Sequence, residues 1–253
     1  MLVKDVLATD AASVDIKKDV LDVLITMLGG RERVVAVLDN QRFAGTVSIT
    51  SYAKILRDLK DRKPESINIR EIMDERPWTV MPNTNVTQVM DKLCEKGVYG
   101  VPVMSGHEYL GMVRRKDVLK KYTHLLKGKF RVQDAMSYHV DTNSVHDTVE
   151  YLTKKILMGY ERRVVVMDDD NIKGTIDILD LANILLAEGT DLSNMSVEEI
   201  LVPNAVTVSK CDDITQAGQI MMEWKIWGVP VVDKKLIGIA RDKDLIQRLR
   251  SVM

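Results

Sequence analysis

Three carboxylates sit where their type and spacing could do chemistry. Asp117 closes the stretch Gly111-Met112-Val113-Arg114-Arg115-Lys116-Asp117, and Asp244 closes Gly238-Ile239-Ala240-Arg241-Asp242-Lys243-Asp244. Asp180 closes Gly174-Thr175-Ile176-Asp177-Ile178-Leu179-Asp180 in the same way, and a fourth copy, Gly45 to Ser51, carries Ser48 and ends on serine. Each stretch reads as a strand that feeds a helix. An Asp there can accept hydrogen bonds from the helix's first free amides, contributing roughly 1 kcal/mol. It can equally accept them from the vicinal hydroxyls of a ribose, since a planar carboxylate matches a diol. Arg114 and Arg241 stand three residues earlier, where a guanidinium could take a phosphate through charge-assisted, bidentate bonds. Asp177 at that place in the third copy would repel one.

Further basic residues lie at strand starts: Arg33 before Val34, Arg162 and Arg163 before Val164, and Arg115 within the second stretch. Each is a candidate phosphate ligand or a solvated strand end. Trp78, Tyr99 and Trp227 could stack on a flat ring or pack as core. Catalysis finds little support. No Gly-x-Gly-x-x-Gly or complete phosphate loop is present, and the four histidines lack the i, i+4 spacing or cysteine partners of a zinc site. Cys94 falls on an apolar helical stripe, and Cys211 has no partnered base to make it a nucleophile.

The elements that must position these groups repeat. The glycines Gly45, Gly111, Gly174 and Gly238 recur about every 64 residues, the signature of a repeat protein. Each copy opens with apolar-x-acid-apolar-Leu/Met, one helical turn, at Val3 to Leu7, Ile69 to Met73, Val132 to Met136 and Val197 to Leu201. A short extended piece follows, at Ser13-Val14, Thr79-Val80, His139-Val140 and Val206 to Val208. Next comes a helix with an apolar stripe, such as Val20, Val23, Leu24, Met27 and Leu28, or Val86, Val89, Met90, Leu93 and Cys94. Gly29-Gly30, Gly97 and Gly159 are expected to stop these helices. The hairpin comes next, then a second helix whose buried face is Tyr52, Ile55, Leu56 and Leu59 in the first copy. The fold class is α+β (mixed α/β), with β-α-β-β-α repeats over 1–62, 66–126, 129–188 and 194–253. One unit cannot bury both faces of so small a sheet, so the repeats should pair into pseudo-twofold modules, 1–126 and 127–253.

At 253 residues with 45% apolar and 29% charged residues the chain is globular. A net charge of −1 calls for no nucleic acid or anionic membrane and disfavours both as partners. Two cysteines and no secretory or membrane-length apolar run suggest a soluble, cytoplasmic protein with free thiols.

The order of elements, with four Gly-h-h-x-x-x-Asp-like endings, resembles the cystathionine-β-synthase (CBS) domain. The resemblance covers essentially the whole chain as two tandem pairs, or Bateman modules. It implies a non-catalytic sensor in which the terminal Asp holds the ribose of an adenosine ligand. It also implies that basic residues before the strand reach phosphates, as similar residues do in the γ-subunit of AMP-activated protein kinase. The first cleft implied is that of repeat four, with Asp244, Arg241, Pro230, Val229 and Trp227. The second is that of repeat two, with Asp117, Arg114, Pro102, Val101 and Val80. Asp180 and Ser48 mark the other two, and Ser51 in place of Asp weakens the ribose clamp of repeat one. AMP, ADP or ATP is expected over S-adenosylmethionine or methylthioadenosine, because arginine is plentiful at these mouths. No obligatory cofactor or metal is expected. The partners implied are the ligand, a regulated protein acting in trans, and a second copy in a homodimer. A scaffold with vestigial clefts is the alternative.

Overall fold

The computed structural model of the chain describes residues 1–58, 64–95, 97–158, 163–188, 195–202 and 205–253. The acid of each opening motif proves to be a cap. In the turns Val3–Asp5, Ile69–Glu71 and Val132–Asp134 and the helix α7 (Val197–Ile200), its carboxylate accepts the amide three residues back. Distances are 2.8 Å for Leu2 N to Asp5 and 2.7 Å for Arg131 N to Asp134.

Repeat one then runs β1 (Ser13–Asp15), α1 (Val20–Gly30), β2 (Val34–Asp39), β3 (Arg42–Ser48) and α2 (Ile49–Asp58). Repeat two has α3 (Val86–Leu93), β4 (Gly100–Ser105), β5 (Glu108–Arg114) and α4 (Arg115–Tyr122). Repeat three has β6 (Thr142–Ser144), α5 (Val149–Met158), β7 (Arg163–Asp168), β8 (Asn171–Asp177) and α6 (Ile178–Glu188). Repeat four has β9 (Val208–Ser209), α8 (Ile214–Glu223), β10 (Gly228–Asp233), β11 (Lys235–Arg241) and α9 (Asp242–Val252). The first strand pairs parallel to the second and the hairpin is antiparallel, giving the sheets β1-β2-β3, β6-β7-β8 and β9-β10-β11. In repeat two the expected first strand shrinks to a single bridge, Val80 to Val103.

Two further expectations shift. Helix α1 runs through Gly29 and Gly30, and Arg31 takes the left-handed conformation at φ 48°. Gly29 is therefore a helical residue with open space at its missing side chain. Gly29→Ala is expected to stabilise by about 0.5–1 kcal/mol, read as a raised denaturation midpoint. The first strand of repeat three lies at Thr142–Ser144 and not at His139-Val140, because its inward position holds an asparagine. Asn143 pairs with Val166 where Val14 and Val208 pair with Val37 and Val231, and it donates to Asp147 at 2.9 Å. An apolar pattern could not find it. The expected stops and faces at Gly159, Ile55, Leu56 and Leu59 lie outside the described residues and side chains, as does Arg162.

Compactness gathers the chain into two units, 1–126 with 242–253, and 127–241, so the second ends at Arg241 and α9 belongs to the first. Within each unit the repeats exchange their opening segments. In the first, Val3 and Lys4 donate to Thr84 and Pro82 of repeat two, and Ala8 exchanges both backbone bonds with Met112. Reciprocally, Val20 donates to Ile67, and Thr46 exchanges both bonds with Asp74. Phe43 of one hairpin stacks on Tyr109 of the other at 5.2 Å, the same position in both repeats. The second unit repeats the exchange through Ser137 with Ile239 and through Val149 with Met195.

This exchange explains the spaced glycines. Every hairpin shifts register beside its glycine, between Val37 and Leu38, Val103 and Met104, Val166 and Met167, and Val231 and Val232. At Gly45, Gly111 and Gly238 the partner repeat's segment crosses the hairpin. A Cβ on Gly45 would collide with the Asp74 carbonyl, one on Gly111 with that of Ala8, and one on Gly238 would lie 2.8 Å from that of Ser137.

Candidate functional site

The strand-to-helix junctions carry the residues singled out from sequence. Asp117 caps α4, accepting the Arg114 amide at 2.9 Å. The same carboxylate takes the Arg114 guanidinium in both arms, Nε to Oδ2 at 2.8 Å and Nη2 to Oδ1 at 3.0 Å. Arg114 Nη1 then reaches Glu32 Oε1 at 2.6 Å, and Lys116 Nζ reaches the same oxygen at 2.6 Å. Burial alone would ease the proton off Arg114. The bond and charge of Asp117, with Glu32 and Asp10, outweigh it and raise its proton affinity. Arg114, expected to offer its guanidinium to a phosphate, is buried and engaged within the chain. Val101 and Pro102 are both buried in β4, paired with Val113 and Met112, and Val80 is buried at its bridge.

In repeat three Asp177 is no bare repellent charge. Its Oδ1 accepts the amides of Leu179 (2.8 Å) and Asp180 (3.2 Å), and its Oδ2 meets Arg163 Nη2 at 3.3 Å. Asp180 in turn accepts the Asp177 amide at 2.9 Å, so both readings of that carboxylate begin from a cap. Arg163 is buried and lies against Gly228, where any side chain would strike its guanidinium. In repeat four, Trp227, Val229 and Pro230 are buried in the second unit, with Arg241 at its last position. Asp244 is buried in the first.

Arg33 and Arg115 serve another carboxylate. They reach the two oxygens of Asp242 at 3.0 and 3.1 Å, and both lie on the Tyr99 ring, at 4.0 and 5.0 Å from its centre. Burial would raise the Tyr99 phenol, but Arg33, the Thr50 hydroxyl and Arg115 together bring it below its usual value. Asp242 itself is buried at the start of α9.

A hollow lies at the junction without an Asp. A cavity of about 580 Å³ opens between the repeats of the first unit. Ser48, Thr50 and Ser51 form its hydroxyl edge, with the Ser48 and Ser51 oxygens 3.3 Å apart. Val34 and Val101 supply apolar wall, and Trp78, 43% exposed, and Tyr99 supply aromatic wall. Arg76, Lys92 and Asp74 bring charge. Sequence reasoning singled out Ser48 for repeat one, Val101 for the repeat-two cleft and the two aromatics for stacking, and missed Thr50, Arg76 and Lys92. The constant spacing of the repeats was the signal that could have paired them. Among the described residues no group of three or more His, Cys, Asp or Glu could hold a metal ion, and no helix is long and apolar enough to cross a membrane.

The CBS domain family model matches residues 69–124 and 197–251. Repeats one and three share the same element order and the same register shift. The chain is similar to the uncharacterized protein MJ1225 of Methanocaldococcus jannaschii, at 20% identity over 86% of this chain and 84% of that protein. The crystal structure of MJ1225, presented as a proposed archaeal homologue of g-AMPK, superposes with a TM-score of 0.85 at 18% identity over 98% and 99% of the two chains. An uncharacterized conserved protein from Pyrococcus horikoshii gives a TM-score of 0.70 at 17% identity, over 98% and 100%. A CBS domain-containing protein of Dictyostelium discoideum is 29% identical over 49% of this chain and 94% of its own length. The matched model, the repeated fold and these relatives agree: the chain is a CBS-domain protein of two Bateman modules.

Proposed function

We propose that this protein is a non-catalytic sensor that binds a phosphorylated adenosine in the open cleft of its first unit and, through it, regulates a partner protein. The observation that carries this reading is the composition of the 580 Å³ cavity. Its size falls within the range of small-molecule sites, about 300–1,000 Å³. Trp78 and Tyr99 offer flat faces for a base, the serine and threonine hydroxyls suit a sugar, and Arg76 and Lys92 suit a phosphate. Two cations against one carboxylate, Asp74, favour AMP, ADP or ATP over the cationic S-adenosylmethionine. Repeat one supplies one wall and repeat two the other, so a ligand that bridges them favours one inter-repeat geometry. That is population shift, and a partner can read it.

Thermal unfolding against AMP, ADP, ATP, S-adenosylmethionine, methylthioadenosine and NADH tests the proposal. A ligand at about a hundred times its dissociation constant stabilises by about 2.7 kcal/mol, several degrees in melting temperature for a chain of this size. Trp78→Ala, at an exposed position, should weaken binding by about 1–3 kcal/mol, the usual worth of a base–aromatic stack. Asp117→Ala should lower stability yet leave the nucleotide response intact. No stabilisation by any adenosine compound would leave a four-repeat scaffold. A full response in Trp78→Ala would remove the cleft from the reading.

A further inference from the structure

The two repeats of the first unit match position by position at a constant offset of 66 residues, Gly45 to Gly111. The open cleft has a pseudo-twofold-related place under this offset. Ser48 corresponds to Arg114, Thr50 to Lys116, Ser51 to Asp117, Val98 to Glu32, and Arg76 to Asp10. The contacts follow this relation to within one residue. Thr50 Oγ1 lies 3.4 Å from the hydroxyl of Tyr99, the neighbour of Val98, and Lys116 Nζ lies 2.6 Å from Glu32, the counterpart of Val98. Asp74 crosses Gly45 as Ala8 crosses Gly111. The two places therefore have the same frame and opposite contents.

One holds hydroxyls, a valine and the cavity. The other holds Glu32, with side-chain exposure of 8%, bonded at one oxygen to both Arg114 and Lys116. Asp117 grips the far side of the same guanidinium. Charge differs as well. The open side has Arg76, and the closed side has Asp10, near enough to act on Arg114. A phosphorylated ligand entering there must break a buried ion cluster and meet three carboxylates. Removing one member of such a cluster strands the others without water, so it resists displacement.

We infer that this cluster is the chain's own occupant of the pseudo-twofold-related seat, so that the first unit takes one nucleotide, on the repeat-one side only. The inference rests on the reading of the open cleft as a nucleotide seat. Arg114 here is an internal counter-ion in the place of a ligand, and Asp117 is a carboxylate held away from a sugar.

Two measurements on the full chain test it. Calorimetric titration with AMP compares the parent with the triple variant Glu32→Val, Arg114→Ser, Lys116→Thr. These changes install the residue types of Val98, Ser48 and Thr50 and release Asp117 toward a ribose diol. The variant is expected to bind one more equivalent of AMP per chain than the parent. A folded variant, melting cooperatively, with the parent's stoichiometry would overturn the inference. The second measurement needs no variant and decides alone if the triple change prevents folding. The parent is labelled with 8-azidoadenosine monophosphate and the label is mapped by mass spectrometry. Label on residues 74–80, and none on residues 8–14, is expected. Label on 8–14 overturns the closed seat. Label on neither stretch, or no labelling, overturns the open cleft as the nucleotide seat and the inference with it.

Discussion

Replacing Asp242 by alanine is expected to destabilise the first unit by about 3–5 kcal/mol, the cost of breaking a buried ionic group from one side. Asp242 has a side-chain exposure of 4%, and its oxygens meet Arg33 at 3.0 Å and Arg115 at 3.1 Å. It also accepts the Lys243 amide at 2.8 Å, at the mouth of α9. The Tyr99 ring lies under both guanidinium groups. Its face attracts them, but a quadrupole does not neutralise two charges. Without the carboxylate, both guanidinium groups lose the oxygen each reaches, while Arg115 keeps its carbonyl acceptors Leu93 and Glu95. For a unit of this size the melting temperature should fall by roughly 10 °C. Faster amide exchange should be confined at first to Asp242–Val252, since α9 packs on α3 and α4 through this anchor. Asp91→Ala, on α3, provides the contrast through its partner Arg250 on α9. Its pair with Arg250 is about half exposed on both sides, and such pairs are worth about 0–1 kcal/mol. A second arm separates charge from shape. Asp242→Leu combined with Arg33→Met and Arg115→Met removes all three charges and should recover most of the loss. If Asp242→Ala melts within a degree or two of the parent, α9 is held by its apolar face alone and the triad is incidental.

How much of this could be read from residues alone divides along range. The hairpins, the capped opening turns and the apolar stripes come from local patterns, and the structure has them where period and turn chemistry put them. Asn143 escaped because a buried amide answering a neighbouring Asp looks like a loop residue. The site was less legible for a different reason. At a strand end, Arg114 reads as a phosphate ligand until Glu32, 82 residues away, is known to meet it. Arg33 reads the same way until Asp242, 209 residues away, is seen on its guanidinium. Sequence fixes what a charged side chain can bind but not which oxygen reaches it first. Within Arg241-Asp242-Lys243-Asp244 the family pattern draws the eye to Asp244, while the ion pairs with Arg33 and Arg115 rest on its neighbour two residues back. Repeat one looked weakest because Ser51 replaces the carboxylate, yet that small, uncharged side chain lines the cavity.

Gly111→Ala should be the costliest small substitution in the first unit, by about 2–5 kcal/mol from strain and overpacking together. Two separate terms act at this residue. Its φ of 138° lies where an L side chain is strained, and its missing Cβ faces the Ala8 carbonyl closer than any such contact tolerates. Ala8 cannot retreat freely. Its carbonyl accepts the Met112 amide at 3.1 Å and its own amide donates to Met112 at 2.9 Å, so withdrawal costs two bonds of about 1 kcal/mol each. Gly45→Ala should cost about as much, because Asp74 is held to Thr46 by bonds of 3.0 and 2.8 Å. Gly238→Ala should cost less in its own unit, where the nearest carbonyl, that of Ser137, lies at 2.8 Å and the neighbouring Met136 side chain can yield. Gly106→Ala is the discriminating control. It has a positive φ of 60° but open space, so only the conformational term, about 1 kcal/mol, should remain. Denaturation midpoints rank the four, and exchange at the Ala8 and Met112 amides shows whether the crossing strand has lifted. Should Gly111→Ala cost no more than Gly106→Ala, the glycine serves the bulge alone. The period that reveals the repeats would then record a turn requirement and not the exchange of segments between paired repeats.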